Sequence, residues 1–313
     1  MGGSDPSRHL GLDLGATNLK WVVLEDDDGR WRTLDRGQVP TGAPDGAERV
    51  IRRMADAASA ACDRWPGVRT LGVGVPGLYR AADGVTTFLP NLGADWEGQP
   101  LGAPLREALG IPVTLINDAR AFGLAELRLG AGRGCDTMVG LTLGSGVGGV
   151  IVVGGRVHVG HDGTAGEAGH QTLQPDGPPC TCGNRGCLEA FARADVIAEA
   201  CGTTTVEEAV AAARAGDARA LDGLRHTAAW LGIGIANLVV LLTPDRVVLG
   251  GGVAGAGELL LEPIRDEVRR RVHVTDLDRV EIVTAELGTW AGAMGAGVHG
   301  AEAMARAAVE TPA

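Results

Sequence analysis

The spacing of apolar and polar residues changes along this chain, and each change marks an element. Leu10, Leu12 and Leu14 alternate with Gly11, Asp13 and Gly15, and apolar residues resume at Leu19 and run to Leu24. That pattern predicts a strand, a glycine turn and a second strand. Asp26-Asp27-Asp28-Gly29 then signals a hairpin turn. Over residues 47–61 the period becomes helical, with Val50, Ile51, Met54 and Ala58 on one face. A buried strand follows over 68–75 and ends at Pro76-Gly77. A short helix over 101–109, a strand over 113–116 and a helix over 118–129 come next.

The same plan then starts again. Residues 138–153 read as strand, turn and strand around Gly144, Ser145 and Gly146. Residues 206–242 are largely helical with an interruption near Gly216. A strand over 246–250 runs into Gly251 and Gly252, and a helix over 259–272 and a strand over 280–284 follow. The last element is an Ala/Gly-rich helix over 291–308. Two Gly-tipped hairpins, each opening one half, predict a duplicated α/β chain. No long Pro/Ser linker separates the halves, so a boundary near residue 118 reads as a hinge.

Composition narrows the function classes. A chain of 313 residues has room for one large domain or two. With 45% hydrophobic and only 3% aromatic residues, the core must be aliphatic. The 50 glycines lack a collagen-like period and point to tight turns. A net charge of −11 argues against nucleic-acid binding by the whole surface. Lys20 is the only lysine among 28 basic residues. No apolar run reaches membrane-spanning length, and the N-terminus lacks an apolar signal core. Six cysteines, three of them clustered, fit a reducing compartment, so a cytoplasmic protein is expected. Cys62, Cys135 and Cys201 read as small core residues or free thiols.

Three constellations carry chemistry. His170, Cys180, Cys182 and Cys187 offer one imidazole and three thiolates, a tetrahedral Zn²⁺ set with no position left for a metal-activated water. Gly183 and Gly186 let the chain turn between the thiols; the alternative is a disulfide or idle thiols. Gly15-Ala16-Thr17-Asn18 and Gly144-Ser145-Gly146 place amides and hydroxyls at turn tips, where phosphate oxygens bind, unless both are ordinary hairpins. Asp13 at its strand end can hold Mg²⁺ directly or through water. Asp118 closes one strand and opens a helix, as a general base or as a helix N-cap.

Cys180-Thr-Cys182-Gly-Asn-Arg-Gly-Cys187-Leu-Glu189, preceded by Gly166-Glu167-Ala-Gly-His170, resembles the signature of the ROK family (repressors, open reading frames and sugar kinases), and the resemblance runs from about residue 9 to about 300. It implies a two-lobed actin-like (ribonuclease H-like) α/β fold. One lobe would hold residues 1–117, joined by the C-terminal helix 297–313, and the other residues 118–296 with the zinc loop. The resemblance implies an ATP- and Mg²⁺-dependent glucokinase-like enzyme, expected as a homodimer. ATP would meet Asp13, Gly15, Ala16, Thr17, Asn18, Gly144, Ser145, Gly146, Gly251 and Gly252. The sugar would meet Gly77, Asn91, Asn117, Asp118, Glu167, His170 and Glu189, with Asp118 as base and His170 shared with zinc.

Ala16 stands where the family usually has a second glycine. Residues 91–96 are longer between Asn91 and Trp96 than is common, and Arg80 replaces a frequent acid. These departures leave open another sugar or a C7-cyclitol of the valiolone type as substrate. A family repressor would carry a winged helix-turn-helix, for which a first strand at about residue 9 leaves no room. A sugar-binding regulator without turnover is the remaining non-enzyme reading.

Overall fold

The computed structural model describes residues 6–89 and 92–310. Asn91, expected at the sugar, lies outside the described residues. The chain divides into two units, the first up to Leu129 and again from Thr289, the second over Gly130–Gly288.

The first unit is built on a sheet ordered β3-β2-β1-β4-β7. β1 (Ser7–Leu14), β2 (Asn18–Asp27) and β3 (Arg30–Pro40) form an antiparallel meander. Asp28 and Gly29 turn β2 into β3 with φ of 51° and 82°, the pair of left-handed residues that a tight hairpin turn needs. α1 (Ala47–Arg64) buries Val50, Ile51, Met54 and Ala58, the face its spacing predicts. β4 (Val68–Val75) pairs parallel with β1. A small hairpin, β5 (Leu78–Arg80) and β6 (Val85–Phe88), and α2 (Gly102–Leu109) lead to β7 (Val113–Asn117), parallel with β4. α3 (Asp118–Leu129) follows without a loop.

The second unit repeats this order as β10-β9-β8-β11-β12. β8 (Met138–Leu143), β9 (Val147–Val153) and β10 (Arg156–Val157) form the meander. The chain then passes through the cysteine loop into α4 (Glu189–Ala192), α5 (Ala194–Cys201), α6 (Val206–Arg214) and α7 (Ala218–Leu242). β11 (Arg246–Gly250) enters parallel to β8, and α8 (Glu258–Arg271) carries the chain to β12 (Glu281–Thr284). Each half is thus a meander extended by two parallel strands, which is the duplication its two Gly-tipped hairpins predict.

α7 is long and apolar enough to cross a membrane by length and composition, although no unbroken apolar run marks it in the sequence. Ala228, Leu231, Ile235 and Val239 of α7 lie in the core of the second unit, packed with Leu141, Leu249, Leu261 and Ile264. Its hydropathy is that of a core helix.

α9 (Ala291–Glu310) belongs to the first unit, together with α3. All of α9 and all of α3 belong there, whereas the sequence reading divides the chain at 117 and joins the helix from 297. Glycines on both partners decide this. A Cβ on Gly72 would lie 1.7 Å from the Ala296 carbonyl oxygen, and one on Gly11 would lie 1.9 Å from that of Ala293. One on Gly295 would lie 1.7 Å from the Ala121 carbonyl oxygen of α3. Strand, terminal helix and α3 therefore meet backbone to backbone, a closeness that no side chain permits.

Candidate functional site

In the first unit the parallel strands β1, β4 and β7 end on the same side. The register sets Asp13 beside Gly74 and Gly74 beside Ile116. Asp13, Gly77, Asn117 and Asp118 therefore gather at the carboxyl ends of the strands, where α/β sheets bind ligands. A Cβ on Gly292 would come within 2.8 Å of the Asp13 carboxyl group, so the first turn of α9 rests on that carboxylate. Burial pushes the Asp13 acid up to about 6; the negative charge of Asp118 adds to this and Lys20 opposes it. Lys20 faces Asp13 across the β1–β2 pair, and its Nζ donates to the Thr289 carbonyl at 2.8 Å. Two neighbouring acids, one of them resisting ionisation, suit a divalent cation with oxygen ligands.

Glycine is required at position 15 because a Cβ would lie 2.8 Å from the Asn18 carbonyl oxygen. The turn is held by the Thr41 hydroxyl, which donates to the Gly15 carbonyl at 2.6 Å, and by the Thr41 amide, which donates to the Thr17 carbonyl at 2.9 Å. Ala16 and Thr17 are exposed at its tip. Among described residues other than glycine only Asp28 and Thr243 have positive φ, so Ala16 sits in ordinary backbone and its methyl strains nothing.

At the start of α3 the side-chain oxygen of Asn117 accepts from the Arg120 amide at 3.2 Å, three residues on. That is the bond an N-cap makes. Asn117 thus takes the capping role, and Asp118 Oδ1 accepts from the adjacent Ala119 amide at 2.8 Å. The Asn117 amide also donates to the Gly77 carbonyl at 3.3 Å. Gly77 has φ of 145°, and a Cβ there would meet the Phe88 carbonyl oxygen at 2.2 Å. Tyr79 Oη donates to the Leu115 carbonyl at 2.7 Å and ties the β5–β6 hairpin to β7. Arg80 forms a forked pair with Asp83 in its own hairpin, at 2.6–2.9 Å, which accounts for its positive charge locally.

The second unit holds the other predicted residues. The ligand atoms of His170, Cys180, Cys182 and Cys187 all lie within 4.8 Å of one another. Zn–S and Zn–N bonds of about 2.3 and 2.0 Å give tetrahedral edges of about 3.5–3.8 Å. Cys182 Sγ to Cys187 Sγ is 3.8 Å, and Cys180 Sγ to His170 Nδ1 is 3.6 Å, so the quartet fits zinc. The imidazole atom that meets Cys180 is Nδ1. The loop crosses itself at Gly186, where a Cβ would lie 1.6 Å from the Gln174 carbonyl oxygen.

Glu189 follows the last cysteine and is buried at 9% exposure. Its Oε1 accepts from the Thr181 hydroxyl at 3.1 Å and lies 3.5 Å from Cys180 Sγ. Its Oε2 accepts from the Val147 amide at 2.9 Å, just past the Gly144–Gly146 turn. A Cβ on Gly146 would come within 2.6 Å of Oε2, so that position is glycine because the carboxylate is there. The turn is also held by the Ala194 amide, which donates to the Gly144 carbonyl at 2.8 Å. Gly251 lies alongside: its Cβ would meet the Leu143 carbonyl oxygen at 2.2 Å, while Gly252 is more open. Glu167 is exposed, one turn before His170, whose amide donates to the Glu167 carbonyl at 3.0 Å.

The first unit brings Asp13, Gly77, Asn117 and Asp118 to its strand ends, and the second brings Glu189 to the Gly144–Gly146 turn beside the His170–cysteine quartet. Lys20, Tyr79 and Thr181 are additions that the sequence patterns do not single out. The oddity of one lysine and one tyrosine in the whole chain is the only signal for the first two.

Comparison with known proteins gives a consistent result. The ROK family model matches residues 9–300. A glucokinase from Halalkalibacterium halodurans is 35% identical, over 92% of this chain and 93% of its own length. A ROK hexokinase from Thermus thermophilus superposes with a TM-score of 0.81 at 38% identity, over 96% of this chain and 99% of its own. A ROK family glucokinase from Streptomyces griseus, solved with glucose and AMPPNP, gives a TM-score of 0.81 at 31% identity, over 95% of this chain and 100% of its own.

Proposed function

This chain belongs to the ROK family, and we propose that it transfers the γ-phosphoryl group of ATP to the primary hydroxyl of a hexose, glucose before other sugars. The observation that carries this reading is the acid pair Asp13–Asp118 at the strand ends, in a chain that superposes almost end to end on a glucokinase holding glucose and AMPPNP.

The residues divide the work as phosphoryl transfer demands, mostly positioning and charge neutralisation. Asp118 accepts the proton of the attacking hydroxyl, while Asn117 caps α3 beside it. Asp13 would hold Mg²⁺, which neutralises phosphate charge when bound. The amides at Gly15–Asn18 and Gly144–Gly146 bind phosphate oxygens, and Gly251 and Gly252 give the adenine a flat backbone surface. The sugar hydroxyls are held by Asn117, Glu167, His170 through Nε2, and Glu189. The products are the hexose phosphate, ADP and one proton. His170, Cys180, Cys182 and Cys187 would hold zinc with four protein ligands, which would fix the orientation of His170.

The test is a panel of glucose, mannose, allose, N-acetylmannosamine, N-acetylglucosamine and a valiolone-type cyclitol with ATP and Mg²⁺, read by mass spectrometry. Glucose phosphate as the main product supports the reading. A product from another member alone moves the substrate and keeps the chemistry. No product from a folded, zinc-loaded protein that still binds sugar would mark a regulator without turnover.

A further inference from the structure

The two oxygens of Glu189 face different parts of the second unit. Oε1 takes the hydroxyl of Thr181, between two cysteines of the metal quartet, and Oε2 takes the amide of Val147 at the end of the Gly144–Gly146 turn. We propose that Glu189 and Thr181 are positioning residues that transmit zinc loading to the Gly144–Gly146 turn, so that zinc sets the affinity for the nucleotide phosphates as well as for sugar. This rests on the reading of that turn as a donor-phosphate loop.

The chain of contacts is short. Zinc held by the quartet would join His170 to the loop over 180–187, and that loop runs directly into Leu188 and Glu189. Leu188 is fully buried, with its amide on the Gln171 carbonyl at 3.0 Å, so the two metal-bearing segments are already joined beside the carboxylate. The segment then pins the turn twice, through Glu189 Oε2 on the Val147 amide and through the Ala194 amide on the Gly144 carbonyl. The His170 side presses on the same hairpin. A Cβ on Gly169 would lie 1.9 Å from the Val147 carbonyl oxygen.

Metal binding decides which donors Glu189 keeps. Cysteines ligate zinc as thiolates, so Cys180 then offers no S–H. The Thr181 hydroxyl is the donor that remains on Oε1, and it sits on an exposed stretch that the metal holds in shape. Without zinc, Thr181 loses its anchor, the carboxylate gains freedom, and the aim of the turn amides is no longer fixed. Convergent amides bind phosphate only while their directions are set.

The measurement is calorimetric titration of the full-length, zinc-loaded protein with AMPPNP and Mg²⁺, without sugar, for wild type, Thr181→Val and Thr181→Ser. Zinc content is checked by plasma mass spectrometry, and glucose affinity is titrated in parallel. Thr181→Val is expected to keep its zinc and bind AMPPNP about 3- to 10-fold more weakly, part of what one hydrogen bond to a charged group is worth, since the effect reaches the turn through Glu189. Thr181→Ser should restore wild-type affinity. Chelated wild type that stays folded by circular dichroism should weaken at least as much and recover on zinc addition, independently of the variants. AMPPNP affinity within about twofold across Thr181→Val and chelated wild type, against a clear wild-type signal, overturns the inference alone. Zinc-loaded wild type that fails to bind AMPPNP at all overturns the donor-loop reading and the inference together.

Discussion

Asp13 is the position where stability and function pull apart most clearly. Burial and the nearby Asp118 charge raise its acid from 3.8 to about 6. The folded state therefore prefers the neutral form. The stabilising contribution of that proton is complete below the unfolded value of 3.8 and is lost as pH rises through about 6. At pH 8 the ionised carboxylate costs about 3 kcal/mol, the difference of about 2.2 multiplied by about 1.4 kcal/mol for each tenfold step. Asp13 keeps some contact with water, which brings the expected figure to about 1–3 kcal/mol. Asp13→Asn keeps the shape and removes the charge. It should raise the unfolding temperature of the first unit at pH 8 by about 2–12 °C, at about 2–4 °C per kcal/mol for a unit of this size. At pH 4.5, where folded Asp13 is mostly protonated but the unfolded acid is mostly ionised, the gain should shrink to about a third of its pH 8 value, and it vanishes only below 3.8. Activity should fall to background, since the variant gives up the carboxylate that would hold Mg²⁺.

The assay is differential scanning calorimetry at both pH values, without added Mg²⁺ or nucleotide, because either would stabilise wild type by binding. A chain of two units need not unfold in one step, so the heat trace must be resolved before any shift is assigned. An Asp13→Asn protein that unfolds no later than wild type at pH 8 would refute the reasoning, since an ionised buried acid would then carry no cost. An equal gain at both pH values would refute it as well, because the effect would not follow the titration.

Three further outcomes follow from the geometry. Asp118→Asn should lower kcat by at least about 100-fold, the lower range for loss of a general base, with glucose affinity by calorimetry kept within about threefold. Gly72→Ala, which drives a methyl into the Ala296 carbonyl, should cost about 1–3 kcal/mol or more in urea unfolding and expose α9 to limited proteolysis. Ala16→Gly should change the KM for ATP by less than about twofold, because Ala16 is exposed in ordinary backbone; a larger gain in affinity would show that the methyl does obstruct the phosphates.

What could be read from the sequence follows from what sequence periodicity encodes. α3 begins at Asp118 and ends at Leu129, as the spacing predicts, because one strand end and one helix start share two residues. The metal quartet is equally plain, because four ligands within 18 positions leave few other uses for three thiols. β3 escapes the reading: it is an edge strand whose residues stay mostly exposed or half-buried, so Arg30, Arg32, Asp35 and Arg36 look like a loop. α4 and α5 are hidden by the cysteine signature that precedes them. The unit boundary escapes for a different reason. Sequence shows where a helix starts, not which sheet it covers, and α3 is claimed by the first unit through Gly295 against Ala121, residues 174 positions apart.

Glycines carry both the legible and the illegible part of this fold. Those at 15 and 144–146 announce turns by their clustering, and their meaning is local. Those at 11, 72, 292 and 295 look like dilution of an aliphatic core, yet each marks a backbone or carboxylate pressed against it from a distant element. Gly146 belongs to both groups. It reads as a turn residue, but the space it leaves is filled by Glu189, 43 positions later, and that carboxylate is what joins the metal loop to the turn. A glycine inside a strand or helix of this core is therefore best taken as a record of something close by. Gly146→Ala separates the two meanings: its backbone needs no positive φ, so a turn residue alone would tolerate the methyl. If Glu189 is the reason, the variant should keep its fold and its zinc by plasma mass spectrometry while AMPPNP binding weakens by more than about tenfold, since Oε2 must leave the Val147 amide.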